Sequence, residues 1–232
     1  MELVDRSDFK HRMNQALTID PARTAALTID MQREYLDETV GQSVVVASEA
    51  ERVLKASRRL LDLCRGMGIP VVHVYVVRRP EEARAGFVAG GLAYLQTAQR
   101  IGASQLPHRP PRTRPDRVAG SPESEVPAPL QGPDDIHITS KKGLDGFAHT
   151  DLDFLLCRIL DVDHLLITGI NTDTCVYSTT FSAANLGYSP VVVSDCVASM
   201  RGLDSHEMAL ELMARSIAWV LSLDEVAEAL TP

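Results

Sequence analysis

The sequence predicts one α/β domain, residues 1–232, built as a three-layer αβα sandwich around a mostly parallel six-stranded sheet. Three observations lead there. Apolar runs of strand length alternate with helix-length periodic segments. The runs are nearly continuous in Val, Ile and Leu, as in strands buried on both faces. A chain of 232 residues also suits one α/β domain without division. Strand–helix alternation implies parallel pairing through right-handed crossovers. No internal repeat interrupts it.

Residues 25–29 form the first predicted strand. A helix is predicted over 46–67, with Val53, Leu54, Leu60, Leu61 and Leu63 on a recurring face and a stop at Gly66 and Gly68. Strand 69–76 follows. Residues 107–133 then hold eight of the thirteen prolines, which remove backbone donors and argue against regular structure. This stretch is either an ordered surface loop or linker, or a flap or oligomer contact, since long loops often carry function. Strand 136–139, helix 150–160, strand 164–168, helix 174–186, strand 190–193, helix 205–216 and a last strand near 217–221 complete the pattern.

Composition narrows the function. Twenty-three basic and thirty-one acidic residues give a net charge of −8, a poor match for nucleic acid as main ligand. No apolar run approaches the ~20 residues of a membrane span, and the N-terminus is charged where a signal peptide is apolar. Cys64, Cys157, Cys175 and Cys196 form no CxxC pair, so reduced thiols in a cytoplasmic protein are expected. Cys64 and Cys157 read as buried structural thiols.

In a parallel α/β sheet, ligands bind beyond the carboxyl ends of the strands. The first strand runs into Asp30, Met31 and Gln32; by itself such a carboxylate reads as a cap or turn residue. The third runs into Lys141 and Lys142, and the fourth into the segment 170–175. Thr172 or Asp173 would cap the next helix and leave Cys175 in its first turn, where orphan N–H groups and the helix dipole favour a thiolate. An acid, an amine and a thiol at three strand ends form a plausible nucleophilic set. Competing motifs are weak: no GxxxxGK[ST], no GxSxG elbow and no HExxH occur. His73 stands without a nearby carboxylate in sequence, a poor metal site and more in keeping with a core or loop histidine. His206 with Glu207 reads as a buried polar pair or a helix start.

Three segments, in order, resemble the isochorismatase-like cysteine hydrolases, a family that includes N-carbamoylsarcosine, ureidoacrylate and biuret hydrolases. TAALTIDMQREYL resembles the first strand with its Asp-x-Gln ending, ITSKKGLDGFAHTDLDFLL the lysine strand, and LLITGINTDTCVYSTTFSAANLGY the nucleophile segment. The likeness runs from about residue 24 to about residue 219, and SDCVASMRGLDSHEMAL matches a later strand and His-Glu helix. It implies Asp30, Lys141 and Cys175 as the catalytic set, with Lys141 chosen over Lys142 by its six-residue spacing to Phe147. It further implies an oxyanion hole from the backbone of Asn171 and Cys175, and a non-proline cis peptide joining Ile170 to Asn171. The site would cleave a small amide, carbamoyl compound or ureide without metal or other cofactor. The place where nicotinamidases carry metal-binding histidines here reads VYVVRRPEE. Gln32, Tyr35, Phe147, Tyr177 and Arg201 are the candidate substrate contacts, although Phe147 and Tyr177 also suit a core and Arg201 an exposed loop. A homodimer or homotetramer is expected. The alternatives are an isochorismatase-type or other hydrolase of this fold, and a catalytically silent binding protein.

Overall fold

In the computed structural model, which describes residues 4–84, 97 and 113–231, the apolar runs assemble into one sheet. Its strands are β1 Thr24–Ile29, β2 Val71–Val76, β3 Ile136–Lys141, β4 His164–Ile170, β5 Ser189–Ala198 and β6 Trp219–Leu221. Their spatial order is β3-β2-β1-β4-β5-β6, and every pairing is parallel. The described helices are α1 Ser7–Ala16, α2 Arg33–Leu36, α3 Ala47–Gly66, α4 Pro80–Arg84, α5 Leu152–Phe154, α6 Tyr177–Asn185, α7 Leu203–Ser216 and α8 Leu223–Leu230.

Side chains alternate across a strand, so each central strand feeds two cores. From β1, Ala26 joins Val53, Leu60, Leu61 and Cys64 of α3 and Val226 of α8 on one face. Ala25, Leu27 and Ile29 join Leu152, Leu156, Val176 and Met213 on the other. That is the three-layer sandwich. The reading of all strands as buried on both faces holds for β1 and fails for β3. There His137, Thr139 and Ser140 are exposed, because β3 lies at the sheet edge.

Other departures are local. The predicted helix over 150–160 is the three-residue α5 followed by a wide turn, Leu155–Ile159. Leu152 and Leu156 still bury at helical spacing, but Cys157 faces outward and is exposed, so it is not the buried thiol expected. Cys64 is buried as expected. The sequence reading missed α1 and α8, although Ser222 and Glu225 form a reciprocal capping box at the start of α8. Of the proline-rich stretch, 107–112 lies outside the described residues. From 113 onward it packs on the body: Val126 and Leu130 enter the core and Val118 bridges to Arg78.

Candidate active site

Asp30 leaves β1 with φ +50, a left-handed conformation that Asp tolerates better than most residues. Its amide donates to Val74 O at 2.9 Å, and its Oδ1 accepts the Val76 amide at 3.2 Å. The carboxylate is thus fixed against the end of β2. Lys141 ends β3 and is wholly buried. A register shift sets both Ser140 and Lys141 opposite Val76. From there the Lys141 ammonium passes the end of β2 to donate to Asp30 Oδ2 at 2.6 Å and to Gly143 O at 2.8 Å, with Cys175 Sγ at 3.6 Å. Lys142 points away, to Val77 O and Glu82. The choice of Lys141 over Lys142 therefore agrees with where the two side chains go.

Cys175 is carried by the exit of β4. Gly169 has φ +137, and a Cβ there would sit 2.1 Å from Ile29 O, so only glycine lets β4 lie this close to the strand that delivers Asp30. The Ile170–Asn171 peptide is cis. A wide turn, Thr172–Val176, then leads into α6. The expected side-chain cap is not formed by Thr172 or Asp173, because both are engaged elsewhere. Thr172 Oγ1 pairs with His206 Nδ1 at 2.8 Å, while Asp173 accepts from Ser199 at 2.7 Å and from Arg201 at 3.1 Å. Asn171 Oδ1 accepts the Met200 amide at 2.9 Å.

The electrostatics correct one expectation. Burial pushes the Cys175 thiol up to about 11, aided by Asp30 and opposed by Lys141 and Arg117. The group is a neutral thiol at rest, not the thiolate expected of a helix's first turn, because desolvation in this enclosure outweighs the local dipole. For Lys141, burial would favour the neutral amine, but the charge of Asp30 and its hydrogen bond prevail and the pKa is raised.

The other candidates divide. Gln32 is wholly buried; its Nε2 donates to Val76 O at 2.9 Å and Ser124 O at 2.8 Å, tying β2 to the proline-rich segment. Tyr35 is buried and accepts from Arg117 Nη1 at 2.9 Å, and burial raises its phenol pKa. Phe147 stacks on Tyr188 at 5.7 Å and Tyr177 lies against Phe181 at 6.4 Å, both partly buried beside the core. Arg201 is bound to Asp173 and Thr174 and is only partly exposed. The sequence reading missed Arg117, which lies in a segment without periodicity. It also missed the Thr172–His206 bond, although both residues lay in the quoted segments. Among the described residues, no group of three or more His, Cys, Asp or Glu is placed to hold a metal, and no helix is long and apolar enough to cross a membrane.

Known proteins match this architecture along nearly the whole chain. The isochorismatase domain family model matches residues 24–225. Ureidoacrylate amidohydrolase RutB of Serratia proteamaculans is 24% identical over 220 residues, covering 93% of this chain and 86% of that protein. The crystal structure of a cysteine hydrolase from Pseudomonas syringae pv. phaseolicola superposes with TM-score 0.75 at 24% identity, covering 92% of this chain and 95% of that one. N-carbamoylsarcosine amidase from Thermoplasma acidophilum does so with TM-score 0.63 at 23% identity, covering 87% and 97%. With a family match over so much of its length, this chain belongs to the isochorismatase-like hydrolase family.

Proposed function

We propose that the protein is a cysteine-dependent amidohydrolase acting on a small amide, carbamoyl compound or ureide. The observation that carries this reading is the contact set at three strand ends: an ammonium 2.6 Å from a buried carboxylate and 3.6 Å from a buried thiol. The names of the relatives support the bond type.

In this scheme Asp30 takes the proton of Cys175 as Sγ attacks the carbonyl carbon. A thiol at about 11 does not ionise alone near neutral pH, so deprotonation and attack are paired, with the Lys141 ammonium beside the developing charge. Backbone N–H groups of Asn171 and Cys175 hold the oxyanion, each contributing about 3 kcal/mol by the standard of other hydrolases. The carbonyl re-forms as the C–N bond breaks, and Asp30 returns the proton to the departing ammonia or amine. Water, deprotonated by Asp30, then cleaves the thioester to release the acid and restore the thiol. No metal or cofactor is required. The partner is a small molecule, and the catalytic form is a homodimer or homotetramer; exposed Phe181, Leu186, Met208 and Leu212 on and beside α6 and α7 support an interface.

Ammonia release from primary amides, carbamoyl amino acids and ureides, assayed without added metal, tests the scheme. Cys175→Ala should lower kcat by about 10⁴-fold or more while keeping the fold. Substantial turnover by that variant would point instead to hydrolysis without a covalent intermediate.

A further inference from the structure

The proposed chemistry uses the backbone of the nucleophile turn and leaves its side-chain moorings unexplained. Three of them reach the chain that follows β5. Asn171 Oδ1 accepts the Met200 amide at 2.9 Å, and Asp173 accepts from Ser199 at 2.7 Å and from Arg201 at 3.1 Å. Both of these end on residues between β5 and α7. The third is Thr172 Oγ1, paired with His206 Nδ1 at 2.8 Å. It ends on a helix, because His206 lies in the first turn of α7 with its amide on Gly202 O at 3.2 Å. It is also the mooring made by two buried side chains, Thr172 at 0% and His206 at 6% exposure.

Thr172 sits where a small shift has a large effect. It follows Asn171 directly and stands three residues before Cys175, between the two backbone donors of the proposed oxyanion hole. Its carbonyl accepts the Tyr177 amide at the start of α6. The main chain is thus tied to α6 and the side chain to α7. β-Branching restricts χ1, so fixing Oγ1 also fixes the Thr172 backbone. Burial holds the His206 imidazole below its usual value, helped by Arg52 of α3 and opposed by Glu207, by Glu49 of α3 and by Asp173. A neutral ring offers one donor and one acceptor nitrogen, and a hydroxyl answers either, so the bond persists with either tautomer.

We propose that His206 is a positioning residue that, through Thr172, aims the oxyanion donors of Asn171 and Cys175. It touches no reacting atom. The proposal rests on the amidohydrolase reading for the reaction, though not for the addition of a carbonyl group to Cys175. Misplacing catalytic groups by about 1 Å costs on the order of 10²-fold. Oxyanion donors serve the tetrahedral state more than the bound substrate, so loss of the bond falls on kcat and spares KM.

Thr172→Val removes the hydroxyl at nearly constant volume, and His206→Leu removes the ring nitrogen. With the amide or ureide that gives the fastest ammonia release, each should lower kcat about 10- to 100-fold and leave KM within ~3-fold. The double variant should lose no more than the worse single one, because both act through one bond. A kcat within ~2-fold of wild type in either folded variant, or losses that multiply in the double variant, overturns the proposal. Should the apolar variants not fold, His206→Asn and His206→Gln decide: Asn keeps an amide where Nδ1 lies, and Gln moves it outward. Asn should hold kcat within ~3-fold and Gln should lose ~10-fold or more, whereas equal rates in the two overturn the proposal.

Acetaldehyde, labelled with carbon-13 at its carbonyl, reports the same geometry without C–N cleavage. Sγ bonds to the carbonyl carbon, the C=O π pair moves to oxygen, and the thiol proton passes to that oxygen, giving a thiohemiacetal. NMR titration should show the adduct in the wild type, none in Cys175→Ala, and an affinity lower by about 10- to 100-fold in Thr172→Val. A Thr172-dependent adduct in an enzyme that cleaves no amide or ureide would sink the reaction and keep the positioning role. An adduct equally stable in Thr172→Val, or absent from the wild type, sinks the positioning role.

Discussion

His73 and Lys141 are both wholly buried polar side chains on neighbouring strands, His73 in the middle of β2 and Lys141 at the end of β3. Around His73 the bonding is closed. Its Nδ1 pairs with Thr28 Oγ1 at 2.7 Å and its Nε2 with Asp135 Oδ2 at 2.9 Å. Asp135 in turn accepts from Arg65 and from the Gly132 amide. Around Lys141 the carboxylate is matched, but a neutral thiol is left 3.6 Å from an ammonium, and the residue delivering the acid has a left-handed backbone. Burial of a polar group is therefore not what separates the two. Position at the strand exit, and a thiol held beside an ammonium and a carboxylate, are the distinguishing features.

The largest effect that would break this comparison comes from Lys141→Met. It leaves Asp30 buried without its partner, and unfolding in urea should show a loss of about 3–5 kcal/mol along with the loss of turnover. Unchanged stability would mean that the pair contributes nothing to the fold. Asp135→Asn should lower stability by about 2 kcal/mol, since several bonds to a charged acceptor weaken, and leave kcat per folded molecule intact. A catalytic defect in that folded variant would place the His73 cluster in the reaction.

Titration sharpens the contrast through its sign. Burial holds His73 and His206 below the usual imidazole value, so on acidification the unfolded chain takes up protons first. Their contribution is complete above about pH 6.5 and is lost as the pH falls through the folded values. Cys175 acts at the other end, because its pKa is raised from 9.0 to about 11; its contribution is present below 9 and lost as the pH rises through about 11. Melting temperature against pH should thus decline on both sides of neutrality, and His206→Asn should flatten only the acid limb. The smallest effect belongs to Cys157→Ser, which lies on the exposed side of its turn. Stability should move by less than about 0.5 kcal/mol with activity unchanged, and alkylation at neutral pH should reach Cys157 before Cys175.

The strand ends were legible because a parallel sheet puts chemistry at a predictable place. Asp30 and the segment that carries Cys175 follow apolar runs that place them at strand exits, although Asp30 by itself reads as a cap or turn residue. Choosing between Lys141 and Lys142 took the family spacing, since the cause is a register shift at Val76 and an acceptor on α4, neither of which has a local sequence signal. Arg117 was invisible for a related reason: its partners Tyr35 and Gln32 are 82 and 85 residues away, and the stretch that carries Arg117 is proline-rich and aperiodic. The neutral state of Cys175 could not be read locally either, because it depends on how completely distant elements enclose the thiol. The capping box before α8 is different, being present in the sequence as Ser222 and Glu225 and simply overlooked beside stronger periodic segments.

Lys141 sits on the outermost strand of the described sheet, and β3 hydrogen-bonds to β2 alone. Edge strands fray at a fraction of the free energy of global unfolding. Peeling β3 away would withdraw the ammonium while Asp30 and Cys175 stayed in place on the interior strands β1 and β4. Under the proposed scheme, activity should therefore be lost under mild denaturation before the core gives way, at the margin of the sheet first.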